Sequence, residues 1–212
     1  MRISLIHPSR GRSKKARETY DYWMSKSSSK IEVEHILSID LDDSQIDDYK
    51  RLFPNSTILI SNNTCVVEAT NIAAKKSTGD ILIYFSDDFK CPDNWDIEIS
   101  DRYLDIPRLI KVDDCLQKFH IAVLTIPIMT SALYEKLGYF WHPEYRSMFV
   151  DEDLYWTCAN NNWLVMCPEL KFPHEHPCNG LAENDETYKK SAANWDQGKA
   201  VFNRRKLEGF PL

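Results

Sequence analysis

The stretch Gly79–Asp88, reading GDILIYFSDD, constrains this chain more than any other. Ile81 to Phe85 are apolar without a break and rich in β-branched and aromatic side chains. So short and continuous a run reads as a strand buried on both faces, the kind found at the centre of a parallel sheet. Gly79 reads as the stop of a preceding helix. Ser86, Asp87 and Asp88 follow at once. Adjacent carboxylates are costly to bring together unless a cation neutralises them. Ligands of open α/β sheets sit beyond the carboxyl ends of the strands. On one reading Asp87 and Asp88 therefore form a metal-dependent site. On the other, one caps a helix and its neighbour is solvated.

The flanking chain fits a doubly wound sheet. Ile3 to Ile6 reads as a strand, broken by His7-Pro8-Ser9-Arg10-Gly11-Arg12. A helix follows with Ala16, Tyr20, Trp23 and Met24 on one face. Arg10, Arg12, Lys14, Lys15 and Arg17 crowd its start, where positive charge opposes the helix dipole. Either a phosphate complements that start or the residues are a solvated basic face. Strands are expected at Ile31–Ile39, ending at Asp40, and at Thr57–Ile60, ending at Ser61-Asn62-Asn63. Most of the cluster Asp42, Asp43, Asp47 and Asp48 reads as surface. Val66–Lys76 reads as a helix, which completes β-α-β-α-β-α-β and implies a parallel core. Beyond the acidic pair, a helix near Trp95, strands at Leu109–Val112, Ile121–Ile126 and Trp163–Met166, and helices at Met129–Leu137 and from Val150 are expected. The segment from Asp185 to Arg205 reads as polar and helical.

Length and charge narrow the class. With 212 residues the chain can hold one α/β domain with a real core. A net charge of −6 argues against bulk attraction to nucleic acid or anionic membrane. The six cysteines lie apart with no CxxC and read as reduced thiols of a cytosolic protein. The opening MRISLIHPSRGR has too short an apolar run for a signal peptide, and no stretch approaches transmembrane length. Oligomeric state leaves no mark in the sequence.

The set of motifs, in this order, resembles the GT-A glycosyltransferases, family 2-like. GDILIYFSDD resembles the family's strand and DxD motif, with Ser86 in the first acidic position and Asp88 in the last. Val150–Trp163, VDEDLYWTCANNNW, resembles its acceptor-side acidic motif, with Val150 in place of a Glu and Asn162 in place of a Gly. His174-x-His176 resembles the late histidine that completes the metal site. Size and opening also resemble the first domain of algal-virus enzymes that glycosylate capsid proteins, which would place the chain in a host cytoplasm. The resemblance implies a single GT-A domain with a mostly parallel central sheet flanked by helices. Residues 1–112 would be the nucleotide-sugar half and 113–212 the acceptor half. It assigns Pro8, Ser9, Arg10, Asp40, Asn62, Asn71, Ser86 and Asp87 to the UDP-sugar, and Asp87, Asp88, His174 and His176 to Mn²⁺ or Mg²⁺.

Physical chemistry supplies roles for these residues. A divalent ion stabilises the charge of a departing diphosphate, and an imidazole beside carboxylates favours Mn²⁺. A zinc site from Cys167, His174, His176 and Cys178 is the alternative, disfavoured by the absence of a compact Cys pair. Asp40 could accept the uracil N–H, and Arg10 could meet phosphate. An acceptor hydroxyl needs a general base, for which Asp151 and Asp153 are the candidates. Two positions apart on a helix, they cannot face the same way. The Leu154 and Trp163 register favours Asp151; the rival register places Glu152-Asp153 on the motif. Trp141, His142 and Tyr145 could pack on an acceptor sugar, or the aromatic cluster is core. The activity implied is metal-dependent, inverting transfer from a UDP-sugar to a glycan or glycoprotein hydroxyl. A nucleotidyltransferase would normally carry a Gly-rich phosphate loop where only Gly11 stands. A non-catalytic nucleotide- or glycan-binding module needs neither the metal pair nor the acidic helix start.

Overall fold

Strand β1 (Arg2–Ser9) is the axis of a seven-stranded sheet in the order β3-β2-β1-β4-β6-β5-β7. The computed structural model describes residues 1–116, 118–119 and 121–212. Strands β2 (Glu32–Asp40), β3 (Thr57–Ser61) and β4 (Ile81–Tyr84) complete the parallel half. Between them run α1 (Ser13–Lys26), α2 (Ile46–Leu52) and α3 (Val66–Ala74). After α4 (Trp95–Ser100) come β5 (Leu109–Asp113), β6 (Pro127–Thr130), α5 (Ser131–Leu137), α6 (Val150–Asn160) and β7 (Leu164–Lys171). Helices α7 (Glu186–Ala192) and α8 (Trp195–Leu207) follow. Strand β6 is antiparallel to both β4 and β5, while β5 and β7 are parallel, so the sheet is mostly parallel.

Strand β4 has the two-sided burial that its continuous apolar run requires. Ile81 and Ile83 enter the core with Trp23, Trp95 and Phe172, while Leu82 enters the opposite core with Phe140, Leu154 and Phe202. Gly79 does not stop a helix, since α3 ends at Ala74. It lets the chain pass close to β1: a Cβ there would lie 2.8 Å from the Ser4 backbone nitrogen. Gly138, at φ 76°, does end α5.

Two expectations about elements are corrected. The strand expected at Ile121–Ile126 is Pro127–Thr130 instead, and Met129 and Thr130 belong to it rather than to a helix. The chain from Ile121 to Met129 is apolar apart from Thr125, and only Ile128–Thr130 meet β4 in the ladder. The start of α1 is also answered from within the chain. Asp43 accepts from the Gly11 N–H at 2.7 Å and Gln45 from the Ser13 N–H at 2.9 Å, so Asp43 is buried rather than surface.

Candidate functional site

The carboxyl ends of β1, β2 and β4 open onto two adjoining pockets of about 310 Å³ each. Helix α1 pins the acidic loop to this edge. Thr19 Oγ1 donates to the Asp87 carbonyl at 2.6 Å, and the Trp23 indole donates to the Phe89 carbonyl at 2.9 Å. The two carboxylates then part. Asp87 turns inward, with His7 Nε2 2.7 Å from Oδ1 and Ser9 Oγ donating to Oδ2 at 3.0 Å. Behind His7 stands His35 at 2.9 Å, which in turn meets Ser56 at 2.8 Å. Asp87, expected beside the metal, therefore has both oxygens engaged in a buried His–Ser network. Ser9, expected on the nucleotide, belongs to the same network and also lines both pockets.

Asp88 faces the cleft. A bridge between Phe89 and His174, reinforced by the Glu175 N–H to the Asp88 carbonyl at 2.8 Å, brings the late histidine loop alongside. His174 Nε2 lies 3.4 Å from Asp88 Oδ2, to which the Tyr188 hydroxyl also donates. Burial pushes the Asp88 carboxyl up, but His174, Tyr188 and Ser86 outweigh it and hold it well below the usual carboxylate range. The His176 ring packs on His174 at 5.0 Å between centroids, and its Nδ1 accepts from the Cys178 N–H.

Among the described residues no three His, Cys, Asp or Glu side chains converge as a preformed metal cage. Asp88 Oδ1, however, is buried with no hydrogen-bond partner. One free carboxylate oxygen beside imidazoles suits a hard or borderline cation that keeps water and substrate phosphate in its shell. The residues present fit Mn²⁺ or Mg²⁺ on those terms, and they do not form the four-ligand zinc alternative.

The other pocket is lined by Pro8, Ser9, Arg10, Asp40, Asn63 and Arg146 among others. Asp40 Oδ1 accepts from Asn63 Nδ2 at 2.9 Å, and Oδ2 accepts from Arg10. Arg10 also grips Asp42, so the guanidinium expected to meet phosphate is spent on two carboxylates. Asn63, not Asn62, lines this pocket. Asn71 lines neither pocket. Its side chain accepts from the Phe140 and Trp141 N–H groups and donates to the Trp141 carbonyl, clamping α3 to the aromatic segment.

On the acceptor side the two aspartates of α6 separate. Asp151 lines the cleft with Leu124, Thr125 and Trp141, and burial pushes its carboxyl up to about 6. Asp153 is 1% exposed, held by Arg205 Nε at 2.6 Å and the Tyr145 hydroxyl at 2.9 Å. It has no access to a substrate. Tyr145 is equally buried, and His142 lies outside both pockets, so of the aromatic trio only Trp141 reaches the cleft.

Arg12, Arg146, Tyr188 and Lys190 also reach these pockets, and sequence reasoning did not single them out for the site. Arg12 alone carried a signal, as part of the basic cluster. It grips Asp185 through Nε at 2.8 Å and Nη2 at 2.6 Å, and its guanidinium lies 4.7 Å from the Tyr188 ring centroid.

No protein-family profile matches this sequence, and no curated protein matches it either. Solved structures do match in shape. Staphylococcus aureus TarS in complex with UDP superposes with a TM-score of 0.63 at 14% identity, over 81% of this chain and 59% of that one. The Pyrobaculum calidifontis mannosyltransferase PcManGT, in complex with GDP-Man and Mn²⁺, gives 0.67 at 13% identity, over 95% and 64%. A Drosophila galactosyltransferase complexed with manganese, UDP-Gal and xylobiose gives 0.59 at 7% identity, over 90% and 79%. This chain thus spans less than two thirds of the length of the first two. At such identities the likeness shows the fold, a single α/β domain of the GT-A type.

Proposed function

We propose that this chain is a metal-dependent glycosyltransferase that moves a sugar from a UDP-sugar, with inversion, to a hydroxyl of a glycan or glycoprotein. The observation that carries this reading is one cleft with two unlike carboxylates. Asp88, low in pKa and with a free buried oxygen, lies at the end of β4; Asp151, raised to about 6, lies at the start of α6. Carboxylates pushed apart in this way divide into electrostatic and acid–base roles.

The nucleoside would lie against Pro8, Arg10, Asp40 and Asn63. Asp88 and His174, with His176 beside them, would hold a divalent cation, which when bound neutralises the charge of the leaving diphosphate. Trp141 offers an aromatic wall to the acceptor. Asp151 takes the acceptor hydroxyl's proton as that oxygen bonds to the anomeric carbon. The bond from that carbon to the diphosphate oxygen breaks, and its electron pair leaves with the nucleoside diphosphate. Attack from the side opposite the leaving group inverts the anomeric centre. All six cysteines are free thiols, in keeping with a cytoplasmic setting, that of a host if the chain is viral.

The test is calorimetry with UDP-sugars, with and without Mn²⁺, on the wild type and Asp88→Ala. NMR of the anomeric proton in any product follows. Mn²⁺-dependent donor binding that disappears in Asp88→Ala while the melting temperature holds is expected. Donor binding that ignores Mn²⁺ in both proteins would sink the metal assignment, and the absence of UDP release would sink the enzyme reading.

A further inference from the structure

Strand β5 carries a lysine where a buried strand would ordinarily place an apolar residue. Lys111 is 5% exposed, opposite Pro127 of β6 and Met166 of β7. Burying an ammonium is costly unless it is paired, and filling space would not need the charge. Its Nζ donates to the carbonyl of Val123. The N–H on the other side of that peptide bond belongs to Leu124, and it reaches the Asp151 carboxylate. One rigid, planar amide thus has an ammonium at its carbonyl end and a carboxylate at its amide end.

We infer that Lys111 is a positioning residue for Asp151, acting through the peptide group that joins Val123 to Leu124 and by its own charge. The inference rests on the proposed role of Asp151 as base. A cation at the carbonyl polarises the amide and strengthens its N–H as a donor, because hydrogen bonds in a chain reinforce one another. The same contact fixes the loop between β5 and β6, which otherwise carries no ladder at this point. That loop supplies Leu124 and Thr125 to the cleft wall. Lys111 also touches the base's own helix, with Nζ 5.8 Å from the centroid of the Tyr155 ring on α6.

The charges around the pair are few. Burial lowers the pKa of the Lys111 ammonium, while Asp114, Asp151 and Asp113 favour its charged form. Glu152 stands beside Asp151 on α6, and the Tyr84 phenol faces it from β4. Lys111 is a cation that acts on the Asp151 carboxylate and favours its ionised form.

The test compares Lys111→Met, which keeps the length of the stem, with Lys111→Arg, which keeps the charge. The primary readout needs no turnover: the titration of the Asp151 side-chain carboxyl, followed by carbon-13 NMR in the donor-free protein. Lys111→Met should move its midpoint upward by about one pH unit, and Lys111→Arg should restore it. The acid limb of kcat/KM should shift with it, giving about tenfold less transfer below the limb and near-normal transfer well above it. A merely structural lysine would lower the melting temperature or the rate at every pH and leave the midpoint in place; that result overturns the inference. Should Lys111→Met not fold, Lys111→Gln keeps a neutral donor and reads the same shift. If the midpoint moves while Asp151→Asn still transfers sugar, the base assignment falls and the coupling stands.

Discussion

Asp151 and Asp153 belong to one helical turn, yet their surroundings give them opposite energetics. For Asp151 the folded pKa of about 6 lies above the unfolded value near 3.8. The folded state therefore binds the proton more tightly. The stability this contributes is full below the unfolded pKa and lost as pH rises through the folded one. Asp151→Asn removes an ionised carboxylate from a half-buried place, so it should stabilise the protein at pH 7 by on the order of 2 kcal/mol, seen in urea denaturation. The same variant should retain donor binding and lose transfer by at least a hundredfold. In the wild type, transfer should fall as pH drops through about 6, where Asp151 takes a proton. Asp153 answers differently. It is the carboxylate partner of Arg205, itself 3% exposed. Asp153→Asn strands that guanidinium and should cost about 3–5 kcal/mol. A variant as stable as the wild type would contradict the buried pairing.

At the scale of elements, α7 and the histidine loop meet over the acidic strand end. Tyr188 donates to Asp88, its ring meets His176 at 4.9 Å, and Arg12 ties the start of α7 down through Asp185. A cation and a diphosphate entering at Asp88 compete with that hydroxyl. A hydrogen bond to a charged group contributes about 1.5–3 kcal/mol. Tyr188→Phe should therefore tighten Mn²⁺-dependent donor binding by about tenfold, measured by calorimetry; unchanged or weaker binding would count against the competition. The approach of the histidine loop to Asp88 was expected from the resemblance, but the part of Tyr188 was not legible in the residues, because it lies about a hundred positions from Asp88 and has no motif. The parallel half was legible for the opposite reason. Its strands are short apolar runs whose burial follows from composition, and α1 shows its inner face as Ala16 and Trp23 at helical spacing. Strand β6 was misplaced because the stretch from Ile121 to Met129, apolar apart from Thr125, does not mark where the ladder begins. Asn62 and Asn63 could not be told apart, since a slip of one residue past a strand end decides which faces the pocket. The contacts of Asp87 were not legible because His7 and Ser9, which hold its oxygens, lie on β1 about eighty positions earlier in the chain.

Across the whole molecule, the sheet order brings Asp40 at the end of β2 and Asp151 at the start of α6 to one edge from different elements. The parallel half packs on α1 and α3 and the start of α6 leans on α8, with Val67 and Ala73 of α3 in the same core as Val150, Leu154 and Phe202. Phe202 and Arg205 of α8 pack beneath α6, and Gly198 lies where α8 crosses the segment that leads into it. A Cβ on Gly198 would stand 2.2 Å from the Met148 carbonyl oxygen and 3.2 Å from the Phe149 ring. Both Met148 and Phe149 line the cleft next to Asp151. In a helix interior, Gly→Ala ordinarily stabilises by up to about 1 kcal/mol. At this crossing the sign should reverse, because the obstacle is backbone and cannot swing aside. Gly198→Ala should destabilise the protein by about 1–3 kcal/mol in urea denaturation. It should also push Met148 and Phe149 toward the cleft and raise the KM for acceptor, while the affinity for donor, whose pocket is lined by Pro8, Arg10 and Asp40 as well as Ser147, falls less. A more stable Gly198→Ala protein would show that α8 can slide away from this contact, and a matched loss of donor affinity would show that the two halves of the cleft share one support.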